Sequence, residues 1–162
     1  MLRLRSRNVD DTRAIAGAIA RLVRPRDLVV LSGEMGAGKT AFTQGFASTL
    51  GVSEAVTSPT FNLVHTYAGA EHAIHHVDLY RLERTGELED LGLAELLDAG
   101  GVMLVEWGEV VGDALGDALV VRLEHVEGTS SDEREVSIDR RGPQWDARWS
   151  TLETMTREWI DS

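Results

Sequence analysis

The chain of 162 residues contains no cysteine and only three prolines. The absence of cysteine excludes disulfide bonds, thiol catalysis and zinc sites with cysteine ligands. Aromatic residues make up 6% of the chain, and no apolar run reaches the roughly 20 residues that a membrane-spanning helix needs. Residues 1–5 alternate like a strand and do not resemble a signal peptide. We therefore expect a cytoplasmic protein with no membrane association.

Lysine is nearly absent as well. Of the sixteen basic residues, fifteen are arginines and one is Lys39. With 27 acidic side chains, the net charge is −11 at pH 7, which argues against direct binding of a nucleic-acid backbone, because such binding depends on clustered Lys and Arg. Acidic side chains are concentrated in residues 83–117. This segment is either a solvated face or a docking surface for a basic partner.

The single lysine lies in a glycine-rich segment that matches the P-loop pattern G-x-x-x-x-G-K-[ST]. The segment consists of Gly33, Glu34, Met35, Gly36, Ala37, Gly38, Lys39 and Thr40. The backbone N–H groups of such a loop surround nucleotide phosphates, the lysine ammonium reaches the β- and γ-phosphates, and the threonine hydroxyl coordinates Mg²⁺. An apolar, β-branched run at 27–32 precedes the segment, and a helical pattern at 40–50 follows it. This order of strand, glycine loop and helix predicts a binding site for a nucleoside triphosphate.

The remaining patterns predict a single α/β domain: a three-layer P-loop NTPase fold whose mixed sheet combines a parallel core with antiparallel strands. Strands are predicted at 2–6, 27–32, 61–67, 73–79, 101–107, 119–126 and 134–138, with 61–67 and 73–79 as a hairpin. A helix capped by Asp10 and Asp11 should run toward Val23, and short helical pieces should lie within 84–99. Tryptophans at helical spacing predict a C-terminal amphipathic helix. We assign residues 1–140 to the nucleotide-binding domain and 141–162 to this helix, packed on the same domain.

Two carboxylates follow apolar strands and are candidate partners for the P-loop. Asp78 ends the run that contains His76 and Val77, and Glu106 follows Val105. Parallel strands carry such side chains to the carboxyl edge of the sheet, where the phosphates also lie. Either carboxylate can therefore hold Mg²⁺ or orient a water molecule; the alternative for each is a helix cap or a salt bridge.

Four motifs taken together resemble the TsaE (YjeE-type) family, the ATPase subunit of bacterial tRNA threonylcarbamoyladenosine synthesis. They are the P-loop at 33–40, Thr57-Ser58-Pro59-Thr60-Phe61, His76-Val77-Asp78-Leu79-Tyr80-Arg81 and Val105-Glu106-Trp107. The resemblance spans roughly residues 8 to 138. It implies ATP and ADP as ligands, Mg²⁺ as the metal, and the TsaD–TsaB pair as partners, so that contact with tRNA is only indirect.

The same resemblance implies roles for individual residues. Lys39 contacts the phosphates, Thr40 and Glu106 hold the metal, and Asp78 orients water or contributes to the metal site, although the roles of the two carboxylates can be exchanged. Asp10 or Thr12 touches the adenine edge, and Arg134 lies over the base. The hydroxyl-bearing residues Thr57, Ser58 and Thr60 form either a nucleotide-sensing switch or an ordinary turn.

Other residues of these motifs have alternative interpretations. His76 and Tyr80 alternate with Asp78 and are either ordinary half-core side chains, or polar support for that carboxylate or a contact for a partner. Arg81 is the nearest candidate for a catalytic arginine, and Trp107 is more often a core residue than a stacking platform. Without an assignable arginine finger, we expect hydrolysis to be slow in the isolated chain and faster with the partner complex.

Three other functions are alternatives to an ATPase. A GTPase fits poorly, because guanine recognition by N-K-x-D needs a second lysine. A small-molecule kinase shares the P-loop but also needs an acceptor pocket and often an arginine-rich lid, whereas residues 83–117 are acidic. A nucleotide-controlled assembly module without essential hydrolysis remains open. The sequence does not fix the oligomeric state.

Overall fold

The computed structural model describes residues 1–57, 63–79, 92–106, 115–129 and 132–161. Within these ranges the strands are β1 (Leu2–Ser6), β2 (Leu28–Ser32), β3 (Val64–Ala68), β4 (Ala73–Asp78), β5 (Val102–Glu106), β6 (Ala118–His125) and β7 (Arg134–Arg141). The α-helices are α1 (Val9–Ala20), α2 (Lys39–Thr49), α3 (Leu93–Asp98) and α4 (Asp146–Met155), and a 3-10 turn follows at Arg157–Trp159. In this described part of the chain, none of the helices has the length and apolarity needed to span a membrane.

The described strands form one seven-stranded sheet in the order β1-β7-β6-β2-β5-β4-β3. The central strand β2 pairs in parallel with both β5 and β6, and β4 pairs in parallel with β5. Strands β1, β7 and β3 join by antiparallel pairing. The predicted mixed sheet in an α/β fold is therefore confirmed. Every residue of β2 and β5 is buried, as expected for parallel strands covered on both faces.

Helices cover both faces of the sheet. On one face, Val29 and Leu31 of β2 belong to a large hydrophobic cluster that includes side chains of α1, α2 and α4. On the other face, Leu28 and Val30 pack in a smaller cluster with Leu93 and Leu97 of α3. The alternation of β2 between the two clusters follows from the two-residue repeat of a strand.

The beginning of α1 corrects the sequence prediction. The cap is Asn8, whose side-chain oxygen accepts a hydrogen bond from the backbone N–H of Asp11 at 2.9 Å. In return, Asp11 accepts from the N–H of Arg7 at 2.9 Å. Assigning the cap to Asp10 and Asp11 was therefore wrong: both lie in the first turn, where acids also favour the positive end of the helix dipole. The helix ends at Ala20, before the predicted apolar stripe does.

The C-terminal segment is also divided differently from the prediction. Strand β7 extends to Arg141, and the helix α4 covers only Asp146–Met155. Trp145 caps the helix and Trp159 lies in the separate 3-10 turn, so one continuous helix through both tryptophans was wrong. Thr156 caps the C-terminus of the helix, and its hydroxyl donates to the carbonyl of Leu152 at 2.8 Å. Both tryptophans are nevertheless buried in the large cluster.

The middle of the chain follows the predicted order of elements with shifted ends. The hairpin is present as β3 and β4, but β3 begins at Val64, and residues 58–62 lie outside the described ranges. Helix α3 covers the last part of the predicted helical region. Predictions on Ser58, Thr60, Tyr80, Arg81 and Trp107, and on most of the acidic segment, fall on residues that are not described.

Candidate functional site

The glycine loop, residues 33–38, connects the central strand β2 to helix α2. Its three glycines have positive φ angles: 151° at Gly33, 82° at Gly36 and 102° at Gly38. At Gly33, a Cβ atom would lie 2.6 Å from the carbonyl oxygen of Leu123 in β6. Because that oxygen belongs to the backbone of a neighbouring strand, a larger residue cannot be accommodated by a side-chain movement. The loop therefore depends on glycine for both its conformation and its close approach to the sheet.

Helix α2 directs its N-terminus at this loop. Its cap is Gly38, which has no side chain to bond the free amides of the first turn, and that turn contains no acidic residue. The positive end of the helix dipole therefore faces the loop and is not neutralised by an acidic side chain in the first turn. This arrangement favours the binding of an anion. Lys39 is buried and its Nζ donates to the carbonyl of Gly33 at 2.8 Å, across the loop. Thr40 is exposed in the same turn.

Arg134 of β7 donates hydrogen bonds to the outer side of the glycine loop. Its Nε donates to the carbonyl of Ala37 at 2.8 Å and its Nη2 donates to the carbonyl of Gly36 at 3.1 Å. Two adjacent carbonyls of the loop thus point to one guanidinium, whose planar fork suits paired acceptors. The sequence-based prediction that Arg134 lies over a nucleotide base remains a prediction, since the structure contains no nucleotide. Glu34 and Met35 are exposed on the loop, with Met35 at 73%.

The two candidate carboxylates lie side by side at the same edge of the sheet. Asp78 of β4 and Glu106 of β5 are partners in the parallel register, and Glu106 also pairs with Leu31 of β2, two residues before the glycine loop. Leu104 packs in the cluster with α1 and α2, so by alternation along β5 Glu106 faces the side on which α2 lies. Glu106 is buried, whereas Asp78 is half-buried.

His76 contacts Glu106. The distance between its Nε2 and the Oε2 of Glu106 is 3.1 Å, and the side chains are 2% and 3% exposed. Sequence reasoning offered His76 as a core residue or as support for Asp78. Among the described contacts its polar partner is instead the neighbouring carboxylate. No sequence pattern gives this pairing, because it depends on which strand lies next to β4.

The residues predicted to touch adenine lie at the start of α1. Thr12 is buried, with its hydroxyl 2.7 Å from that of Ser6. Ser6 in turn is the register partner of Arg134 in the β1–β7 pair, which places this helix end beside the glycine loop. Asp10 is exposed and interacts with Arg13 at 3.4 Å. An adenine contact by Asp10 or Thr12 remains a prediction.

A cleft of about 820 Å³ opens between the glycine loop and the end of β6. Among the described residues, its lining includes three acidic side chains, Glu34, Glu124 and Glu127, and one arginine, Arg122. The hydroxyl of Ser32, also in the lining, is buried and has no hydrogen-bond partner within the described chain. The cleft provides an open, acidic approach to the loop from its β6 side.

The oxygen donors at this edge suit a metal that is bound together with phosphates. No cluster of three or more metal-ligating His, Asp or Glu side chains is found in the described ranges. Mg²⁺ does not require such a cluster, because it usually takes one or two carboxylates and completes its shell with phosphate oxygens and water. Thr40, Asp78 and Glu106 offer only hard oxygen donors, which match this preference.

Comparison with known proteins gives a consistent result. The family model "Threonylcarbamoyl adenosine biosynthesis protein TsaE" matches residues 6–136. A protein from Bacillus subtilis named tRNA threonylcarbamoyladenosine biosynthesis protein TsaE is 39% identical over 146 residues, covering 90% of this chain and 89% of that protein. The protein of the same name from Streptomyces coelicolor is 44% identical over 138 residues, covering 82% and 93%. A crystal structure of YdiB from Bacillus subtilis superposes with a TM-score of 0.76 at 33% identity, covering 97% and 95%.

Proposed function

Because this chain belongs to the TsaE family, we propose that it binds and hydrolyses ATP with Mg²⁺ in support of threonylcarbamoyladenosine formation in tRNA. In this proposal, the protein acts on a TsaD–TsaB complex in the cytoplasm, and that complex contacts the tRNA. The single observation that carries the proposal is the arrangement of the glycine loop beside Glu106 and Asp78 on adjacent strands.

Binding depends on the loop and on Lys39. The backbone N–H groups of residues 33–38 and the first turn of α2 surround the phosphates, and the ammonium group leaves the Gly33 carbonyl to contact the β- and γ-phosphates. Arg134 holds two loop carbonyls on the outside. This keeps the loop in a shape whose amides can face inward, so less ordering is needed when the nucleotide binds.

Hydrolysis depends on the carboxylate pair. Thr40 and Glu106 would hold Mg²⁺, and Asp78 would orient the attacking water or contribute to the metal site; exchange of the two carboxylate roles is the alternative. The metal would neutralise the charge that develops on the phosphates in the transition state. The half-buried position of Asp78 leaves it accessible to water at the same edge.

The isolated chain should hydrolyse ATP slowly. Arg134, which lies beside the loop, directs its guanidinium at backbone carbonyls. Stabilisation of the transition state by an arginine supplied from a partner accelerates related reactions by about 10³–10⁵-fold.

Nucleotide binding is tested by calorimetry with ATP and ADP, with and without Mg²⁺. Lys39→Ala should abolish binding, whereas Arg157→Ala, which removes an exposed cation in the 3-10 turn, should not. Since Lys39 is the only lysine, an amine-reactive label can modify only that side chain and the N-terminus. ATP should protect Lys39 and leave the N-terminal amine reactive; the absence of both binding and protection would overturn the proposal.

Turnover separates the ATPase from its two alternatives. We expect equal amounts of ADP and free phosphate, with a rate that rises at least tenfold when TsaD–TsaB is added. ADP without matching phosphate would indicate a kinase. Glu106→Gln should retain ATP binding and lose hydrolysis. If this variant still supports many cycles of tRNA modification, the protein acts as a nucleotide-controlled assembly module.

A further inference from the structure

Glu106 is a buried carboxylate with a hydrogen-bond donor, His76, next to it. It is 2% exposed, and its Oε2 lies 3.1 Å from the Nε2 of His76. An ionised carboxylate in such a site is costly unless it is hydrogen-bonded. A carboxylate oxygen accepts, so in this pair the imidazole Nε2 carries the hydrogen and donates.

The other ring nitrogen of His76 does not compete for this contact. Its Nδ1 is buried and has no hydrogen-bond partner within the described residues. The hydrogen bond to Glu106 therefore fixes a hydrogen on Nε2, directed at the carboxylate.

Tyr67 lies beside the histidine ring. The two ring centroids are 6.4 Å apart and their planes differ by 29°. Tyr67 is 2% exposed, and its hydroxyl lies 3.4 Å from the carbonyl oxygen of Thr57. A buried aromatic side chain thus lines one side of the imidazole.

We propose that His76 is a positioning residue for Glu106: its Nε2–H fixes the carboxylate plane so that Glu106 faces the phosphate end of the glycine loop. The inference rests on the proposed ATPase function, and it assigns to His76 a role that does not require contact with nucleotide or metal. Partners that orient a metal-ligating side chain typically change metal affinity or activity by 10–100-fold when they are replaced.

The test compares three substitutions in the full-length protein. His76→Gln keeps an N–H donor near the position of Nε2, His76→Asn places its amide too far from Glu106, and His76→Phe keeps the ring but removes the donor. We expect kcat to fall by 10–100-fold for Phe and Asn, with smaller loss for Gln. The KM for ATP and the affinity for ADP without Mg²⁺ should change less than threefold, since in the proposed site the loop amides and Lys39 bind the phosphates.

A second measurement does not depend on turnover. Calorimetric titration of Mg²⁺ into the protein–nucleotide complex should show an affinity reduced by 10–100-fold in His76→Phe. His75→Phe is the matched control: His75 is also buried but pairs with the hydroxyl of Thr66 at 2.9 Å, and its variant should keep the Mg²⁺ affinity.

Each outcome has a clear meaning. If folded His76→Phe matches the wild type in kcat and in Mg²⁺ affinity, the positioning role is overturned while the ATPase proposal stands. If His76→Phe fails to fold, the Gln and Asn variants decide, and equal losses in both overturn the role. If the wild type neither binds nor hydrolyses ATP, the proposed function fails and the positioning role fails with it.

Discussion

Lys39 is the only lysine of a protein whose other basic residues are arginines, and its Nζ donates a hydrogen bond to the carbonyl of Gly33. Its neighbour across the loop, Arg134, makes a different kind of contact, with a fork that two carbonyls share. The two cations are not interchangeable: the compact ammonium fits inside a ring of amides, and the planar guanidinium suits paired acceptors outside it. At the residue scale, the candidate site therefore depends on having a lysine at position 39 and an arginine at position 134.

Arg134→Lys should weaken phosphate binding about tenfold, because the lysine ammonium cannot replace the two directed bonds to loop carbonyls. Isothermal titration with ATP, ADP and inorganic tripolyphosphate measures the effect. We expect the same loss for all three ligands, since in the proposed site the loop binds the phosphates that all three share. Arg140→Lys, at an exposed position on the same strand, should bind as the wild type does. A loss confined to the two nucleotides would support the base contact predicted from the sequence.

Helices α1 and α2 pack closely because each contributes a glycine to the contact. At Gly45 a Cβ would lie 2.4 Å from the carbonyl oxygen of Arg13 and 2.6 Å from its Cα. At Gly17 a Cβ would meet the Oγ1 of Thr49 at 2.8 Å. Since α2 begins at Lys39, its distance from α1 also determines where the glycine loop ends. At the scale of elements, close helix packing positions the loop.

Gly45→Ala should destabilise the fold by about 2 kcal/mol, because the methyl group meets backbone atoms and the helices must separate. Gly17→Ala is the matched control. Its methyl group meets the end of a side chain that can rotate, and alanine gains about 1 kcal/mol of helix propensity; its net effect should stay within about 1 kcal/mol. Urea unfolding gives both values, provided that the unfolding free energy depends equally on urea concentration in the variants and the wild type. Similar stabilities of the two variants would contradict this account.

The C-terminal helix is attached to the sheet by a buried ion pair, at the opposite end of β2 from the glycine loop. Arg148 donates to both carboxylate oxygens of Asp27, which are further bonded by Gln144 and by the backbone N–H of Arg24. The Arg148 guanidinium also lies 3.9 Å from the ring centre of Trp145. At the scale of the molecule, this pair connects the last helix to the central strand.

Arg148→Met should reduce the free energy of unfolding by about 3–5 kcal/mol, because it leaves the buried carboxylate of Asp27 without its cation. The double variant Asp27→Asn with Arg148→Met should recover part of that loss. Arg140→Met provides a comparison, since its partner Asp146 is exposed and such pairs contribute less than about 1 kcal/mol. Chemical denaturation checks all three; an Arg148→Met cost as small as that of Arg140→Met would show that the pair is not stabilising.

The net charge of −11 leads to a prediction for the whole molecule. The isolated protein should bind tRNA with a Kd weaker than about 10⁻⁴ M at physiological salt, because it has too few clustered cations to release counterions. Filter binding over a range of salt concentrations measures this, with the TsaD–TsaB complex as the comparison. Tight, salt-sensitive binding by the isolated chain would contradict indirect recognition.

The sequence alone determined the local parts of this protein. The glycine loop, its flanking strand and helix, and the strand-end positions of Asp78 and Glu106 follow from spacings of a few residues, for which backbone geometry leaves few options. The ends of the elements were predicted less accurately. Asn8 caps α1 because the chain is still extended there, two residues before Asp10, where the cap was predicted.

Only the tertiary structure decided which distant side chains meet. The pairing of His76 with Glu106, the bonds of Arg134 to a loop 97 and 98 residues away, and the contact of Arg148 with Asp27 all depend on strand order and register. A shift of one residue in a strand moves each of its side chains to the other face, and no local pattern in the chain specifies its neighbour. The residues of the candidate site were therefore identifiable from the sequence, whereas the contacts that orient them required the fold.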